Sequence, residues 1–329
     1  MNRRALIAAL VAAAAWPQIR RARAKTRRRI GALMDTDATN IEGAKRIAAF
    51  RQELQQLGWT EGGNIEIDLR WGGGDLERTR AYARELVDLK PDVIFAYAAA
   101  QLAALARETR TIPIVFVGAS AAAEDGYVAS FAHPGGNITG FTQYEASMAG
   151  RWLEMLKRVA PDLSRVGMVL NPTTATMHGL FYQHAFDAAA ASLDVKPITQ
   201  FVESAGAIET TLGEFAREPR GGLIVAPETF TTAHRKLLIA LTARLRLPAI
   251  YGLSQFPASG GLMSYGPDTI DTVRRAVIYV DRVLRGENPA ELPVQAPTKF
   301  ELVINLGTAK DLGVSIPPSL LAQADEVIE

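Results

Sequence analysis

The chain repeats itself, faintly and in order, and nothing else in it constrains the fold so strongly. Arg29-Ile30-Gly31-Ala32-Leu33-Met34 matches Arg165-Val166-Gly167-Met168-Val169-Leu170 at an offset of 136 residues. Asp92-Val93-Ile94-Phe95-Ala96 matches Gly222-Leu223-Ile224-Val225-Ala226 at 130, and Ile112-Pro113-Ile114-Val115-Phe116 matches Leu247-Pro248-Ala249-Ile250-Tyr251 at 135. The first run of each set ends in polar residues and leads into a helical stretch, 41–57 or 179–193. One such pair could be chance; three in the same order imply two similar lobes.

Inside a lobe, short apolar runs alternate with helical spacing. Ile30–Met34, Ile65–Arg70, Val93–Tyr97 and Ile114–Val117 read as strands, and Ile41–Leu57, Leu76–Leu89 and Ala99–Arg110 as the helices between them. Near-continuous apolar strands joined through helices specify an α/β fold with a parallel, doubly wound sheet. Ligands of such sheets sit beyond the carboxyl ends of the strands. Two matching lobes turn those ends toward each other, so loops 35–40, 97–101 and 118–122 oppose 171–177, 227–231 and 251–256.

The N-terminus reads as an export signal. Met1–Arg4 is basic, Ala5–Trp16 is an apolar run too short to span a bilayer, and Ala22-Arg23-Ala24 is a small-x-small cleavage site. Cleavage is expected after Ala24. Arg3-Arg4 raises twin-arginine export, but the rest of that motif is missing, which favours the general secretory route. Without the five arginines of 1–24, the chain has 31 Lys and Arg against 35 Asp and Glu, a mildly acidic balance that argues against nucleic acid as a partner. The sequence has no cysteine. That excludes disulfides, a thiol nucleophile, cysteine metal ligands and a lipidated anchor behind the signal, so a free periplasmic protein is expected. Hydrophobic residues make up 48% of the chain, enough for well-formed cores in a two-domain protein.

Catalytic constellations are missing. The four histidines, His133, His178, His184 and His234, include no i,i+4 pair, and there is no HExxH or G-x-S-x-G. Gly72-Gly73-Gly74 and Gly135-Gly136-Asn137 lack the lysine or third glycine of phosphate-cradling loops and read as turns. Asp35 and Asp37 could serve as an acid/base or metal pair, or cap the next helix, with Thr39 or Asn40 as rivals for the cap. No cofactor or metal is expected.

Several longer segments resemble a known family. His133-Pro134-Gly135-Gly136-Asn137-Ile138-Thr139-Gly140 resembles the PGGN-x-TG signature of ABC-transporter substrate-binding proteins of the tryptophan-binding, TrpX-like group. Gly260-Gly261-Leu262-Met263-Ser264-Tyr265-Gly266-Pro267 is similar to their GGLMSYGP segment, and Tyr279-Val280-Asp281-Arg282-Val283-Leu284-Arg285-Gly286 to their YVD-RILKG run. The resemblance covers essentially all of 26–329. It implies a type I periplasmic-binding fold: two doubly wound parallel-sheet lobes joined by three crossover strands, with no enzymatic activity. The expected N-terminal lobe is 26–141 plus 266–294 and the C-terminal lobe 142–265 plus 295–329. The Gly135-Gly136 pair is expected to supply positive-φ turn geometry. One departure concerns the cleft: a family Asp-Pro is replaced by the stretch Ser120-Ala121-Ala122-Ala123-Glu124-Asp125, which leaves ligand preference open.

The resemblance implies a solute-binding component of an ABC importer, a monomer serving a permease in the inner membrane. A ligand-sensing receptor for a membrane signalling protein is the alternative, and an enzyme the third class. Candidate ligand residues are Asp35, Thr36, Tyr97, Gln101, Phe116, Thr142, Asn171, Thr173, Thr174, Thr176, Thr229 and Tyr251. They offer hydroxyls, amides and aromatics but no arginine cluster, which suits one carboxylate beside an apolar group: an amino acid, aromatic ones included, or a small aromatic carboxylate. Thr173, Thr174 and Thr176 are expected to hold the carboxylate, with Thr36 or Gln101 reaching it from the other lobe. Tyr97, Phe116 and Tyr251 would flank the apolar part. The competing reading is that Thr173 and Thr174 only cap the helix behind them.

Overall fold

A computed structural model of the chain describes residues 27–329. The expected export signal, 1–24, lies outside the described residues. Two sheets form two lobes. The first has the order β2-β1-β3-β4-β5, with β1 Arg28–Met34, β2 Ile65–Trp71, β3 Val93–Tyr97, β4 Ile114–Val117 and β5 Ile138–Phe141, all parallel. The second has the order β12-β11-β10-β9-β8-β6-β7. Its strands are β6 Arg165–Leu170, β7 Lys196–Phe201, β8 Gly221–Val225, β9 Ala249–Tyr251, β10 Met263–Pro267, β11 Phe300–Asn305 and β12 Glu326–Ile328.

The order β2-β1-β3-β4 recurs as β7-β6-β8-β9, so the repeat in sequence is a repeat in topology. Gly31 and Gly167 occupy matching places on the central strands. A Cβ on Gly31 would lie 3.3 Å from Ile94, and one on Gly167 would lie 2.9 Å from Leu223. Ladder register pairs these residues, Gly31 with Ile94 and Gly167 with Leu223, so the offset across β3 and β8 is 129. The sequence match at 130 is therefore out of phase by one residue in the strand. The two helices that follow are capped at Ala98 and Glu228, which restores 130 through one additional loop residue before Glu228.

The second sheet is not wholly parallel. β10 and β11 pair antiparallel, while every other ladder of that sheet is parallel. The cause is the route of the chain. β10 leaves toward the first lobe, where α9 (Thr269–Leu284) packs against β3, β4 and β5, and the chain then re-enters the second sheet along β11 in the opposite sense. The other passage between sheets follows β5. Two of the crossing segments bind each other there: Thr142 N–H donates to Gln295 O at 2.9 Å and Gln295 N–H to Gly140 O at 3.0 Å.

The helices flank the sheets and cover both faces, which is why the inner strands β3, β4, β6, β8 and β9 are buried throughout, whereas the edge strands β2 and β7 are not. In the first lobe α1 (Ile41–Gln56) places Ile47, Phe50 and Leu54 against β1 and β3, joined from the same side by Val273, Val277 and Val280 of α9. On the other face α2 (Leu76–Asp88) and α3 (Ala99–Glu108) contribute Ala83, Leu86, Leu102 and Leu105. In the second lobe α4 (Met148–Val159) and α5 (Leu180–Ser192) cover one face through Trp152, Leu156 and Phe186, and α6 (Ala205–Phe215), α7 (Thr229–Ala233) and α8 (Arg235–Arg244) lie on the other. Two short helices, α10 (Leu306–Leu312) and α11 (Pro318–Leu321), precede β12. Asn40 caps α1, its side chain accepting from Gly43 N–H at 3.0 Å, so neither Asp35 nor Asp37 has that task. In the Pro-Gly-Gly-Asn turn only Gly135 has positive φ, +75°; Gly136 does not need it.

Candidate functional site

The carboxyl ends of β1, β3 and β4 face those of β6 and β8 across a cavity of about 570 Å³. That size is ordinary for a small-molecule site. Lobe one supplies Asp35, Arg46, Tyr97, Ala98–Gln101 and Ser120, and lobe two supplies Thr173–His178 and Glu228–Thr229.

Of the twelve expected ligand residues, the structure brings Asp35, Tyr97, Gln101, Thr173, Thr174, Thr176 and Thr229 to the cavity wall. The other five lie elsewhere. Thr36 is tucked under the first turn of α1, where its hydroxyl fills the space beside Gly43. Phe116 is fully buried among Leu102, Leu105 and Ile138 on a covered face of the sheet. Tyr251 stacks on Phe256 at 4.4 Å, its hydroxyl 3.1 Å from that of Thr242, on a face turned away from the cleft. Thr142 belongs to the crossing between lobes, and Asn171 turns its side chain onto Thr173 N–H at 2.8 Å. Strands buried on both faces send their side chains into the cores, so only strand residues at or beyond the carboxyl ends, such as Tyr97, reach the cleft.

Lobe one has a buried network that the sequence conceals. The Arg46 guanidinium lies 3.5 Å from Asp35 and 4.4 Å from the centre of the Tyr97 ring, and Arg46 is 5% exposed. Gln143 donates to the Tyr97 hydroxyl at 2.7 Å. Burial pushes the Asp35 carboxyl above its usual range, with the charge of Arg46 pulling the other way. Burial likewise raises the phenols of Tyr97 and Tyr144, so both stay protonated and available as hydrogen-bond donors.

The lobe-two wall is organised by Glu228. It caps α7, accepting from Phe230 N–H at 2.6 Å and Thr231 N–H at 3.0 Å. It also accepts from Asn171 N–H at 3.4 Å and from the Thr174 hydroxyl. The carboxylate thereby ties the loop after β6 to the loop after β8. Burial still raises its pKa, and these four donors lower it. Thr174 thus spends its hydroxyl on a carboxylate of the chain. Neither threonine caps α5, whose N-cap is Gly179, at φ +93° and without a side-chain bond. Met177 and His178 also adopt left-handed conformations, at φ +49° and +56°. They bring His178 to the cavity mouth, which Asp125 lines from the other lobe; burial raises the Asp125 carboxyl above its usual range.

Nothing in this arrangement assembles a nucleophile with a base, and among the described residues no group of three or more His, Cys, Asp or Glu side chains could hold a metal. A polar, two-walled cavity between lobes suits capture and release of a solute. No helix among the described residues is long and apolar enough to cross a membrane.

Comparisons with known proteins agree with this geometry. The "Tyrosine-binding protein" of Clostridioides difficile is 24% identical over 295 residues, 88% of this chain and 81% of that protein. A Streptococcus pneumoniae ABC domain solved in complex with L-Trp superposes with a TM-score of 0.83 at 22% identity, covering 92% of this chain and 99% of that one. A conserved domain protein of Vibrio cholerae gives 0.82 at 23% identity, with the same coverage. These likenesses share the type I periplasmic-binding fold. Substrate-binding proteins of ABC transporters bind solutes, are not enzymes and work outside the cytoplasm. The family model for ABC transporter substrate binding proteins matches residues 42–328, and the chain belongs to that family.

Proposed function

We propose that the chain is the periplasmic solute-binding component of an ABC importer, that it takes an α-amino acid into the interlobe cleft, and that it delivers this ligand to an inner-membrane permease. The lobe boundaries expected from the sequence, 26–141 with 266–294 and 142–265 with 295–329, belong to the same reading. So do cleavage after Ala24 and a monomeric state. The observation that carries the ligand class is the cavity wall: acceptors at Asp35 and Gln101, free helix amides at Ala99–Gln101, and the Tyr97 ring, beside Arg107 and Arg46, the latter already paired with Asp35. The tyrosine-binding and tryptophan-bound relatives point to an aromatic side chain.

Thermal-shift screening of the mature protein against the amino acids and small aromatic carboxylates tests this. A ligand at 100 times its Kd adds about 2.7 kcal/mol of stability, a clear rise in Tm. L-tyrosine or L-tryptophan is expected to give it. A panel flat for every α-amino acid overturns the proposal.

A further inference from the structure

The two lobes treat one equivalent position in opposite ways. In lobe two the amino end of the helix after β8 is filled by the chain's own carboxylate, Glu228, on the amides of Phe230 and Thr231. In lobe one the equivalent N-cap, before α3, is Ala98, whose methyl group offers no acceptor. The first-turn amides of Ala99, Ala100 and Gln101 therefore open on the cavity. The backbone at Ala98 is strained to keep them there: φ is +85° and ψ 159°, a region left almost entirely to glycine, held by its N–H on Val117 O at 2.7 Å.

Unpartnered acceptors stand at the same spot. Gln101 is 2% exposed, and neither its Oε1 nor Asp35 Oδ1 has a hydrogen-bond partner. Arg46 lies 3.5 Å from that Asp35 oxygen, within ion-pair range only. Gly72 fixes how near these groups come. A Cβ there would lie 3.1 Å from the Gln101 amide nitrogen and 3.1 Å from the carbonyl oxygen of Met34, the residue before Asp35. Free amides beside free buried acceptors are complementary to one ligand group in particular, the paired carboxylate and ammonium of an α-amino acid.

We infer that the ligand's α-carboxylate sits on the amides of Ala100 and Gln101, taking in lobe one the place that Glu228 fills in lobe two, and that its α-ammonium bridges Asp35 and Gln101. This rests on the amino-acid reading above. Lobe one then reads the head group and lobe two the side chain. An acid lacking the ammonium would set its carboxylate against Asp35 with nothing between them.

The test is isothermal titration calorimetry of the mature protein with L-tyrosine and L-tryptophan, and with 3-(4-hydroxyphenyl)propionate and 3-(indol-3-yl)propionate, which lack only the amino group. The deaminated partner of whichever amino acid binds is expected to bind about a hundredfold more weakly, and Gln101→Leu to weaken the amino acid by about tenfold or more and so narrow the gap to its deaminated partner. Comparing ligands on the unmodified protein keeps the test independent of how the variant folds. Deaminated and parent ligands binding within about threefold of each other overturn the head-group assignment and leave the amino-acid reading standing. Absence of binding by any α-amino acid overturns both.

Discussion

The Arg46 guanidinium lies over the Tyr97 ring, 4.4 Å from its centre, and 3.5 Å from Asp35. One buried cation thus serves a carboxylate from the end of β1 and an aromatic from the end of β3. Removing it strands a buried carboxylate. Arg46→Ala is expected to cost about 3–5 kcal/mol, as breaking a buried pair from one side does. Adding Asp35→Asn to Arg46→Ala is expected to recover part of that loss, because the stranded charge is gone. Urea unfolding of the three proteins measures both. An unchanged midpoint for Arg46→Ala would show that the pair contributes nothing.

Asp35 also makes stability depend on pH. Burial raises its folded pKa above the usual 3.8, although Arg46 opposes the shift. The folded state therefore holds this proton more tightly than the unfolded state does. The resulting stabilisation is full below pH 3.8 and is lost as pH rises through the raised folded value. The difference in stability between the wild type and Asp35→Asn should accordingly become less favourable to the wild type between those two pH values, and level off above them. Urea midpoints across an acid pH series check this. A difference independent of pH would mean that Asp35 titrates alike in both states.

How much of this was legible in the sequence differs by level. The apolar runs around Gly31 and Gly167 reported two lobes with parallel sheets, because burial on both faces forces such runs. The same uniformity hid the register: a strand apolar at every position carries no alternation to fix its phase, and β3 and β8 were matched one residue out. It hid direction as well, so Phe116 and Tyr251 were placed at the cleft when both lie in the cores. Thr173, Thr174, Gln101 and Asp35 line the cavity, as expected, because they follow strands. Arg46 and Glu228 were missed. A charged residue on a helix or in a loop reads as solvated, and its burial here depends on partners such as Tyr97 and Thr174 about 50 residues away in the chain.

Glu228 should behave as a positioning residue for the lobe-two wall. With Ala in its place, the amides of Phe230, Thr231 and Asn171 and the Thr174 hydroxyl all lose their acceptor. A cost of about 2–4 kcal/mol is expected, combining a lost N-cap with buried donors left unpaired. Thr174→Ala, which leaves the cap intact, should cost about 1 kcal/mol. Hydrogen exchange separates local from global effects. In Glu228→Ala the amides of Asn171, Thr173 and Thr174 should lose protection more than those of β6, and equal loss in both would mean that the carboxylate only adds general stability.

Gly266 and Gly136 both lie in segments that resemble the family's signatures, and the structure predicts opposite responses to alanine. Gly266 is on β10 just before the chain leaves lobe two, and its bare α-carbon backs onto Gly252. A Cβ there would fall on the Gly252 carbonyl oxygen, which is backbone and cannot swing aside. The same carbonyl accepts from the Tyr144 hydroxyl at 3.4 Å, so displacing it would disturb a contact from the segment that crosses between the sheets. Gly266→Ala is expected to cost about 3 kcal/mol or more, the upper end for forced overpacking. At Gly136 nothing lies within 4 Å of a Cβ, and its φ is not positive. Alanine there only narrows the unfolded ensemble, and a gain of about 0.4–1 kcal/mol is expected. Denaturant midpoints decide the matter. A Gly136→Ala protein as unstable as Gly266→Ala would mean that the turn needs a conformation closed to alanine.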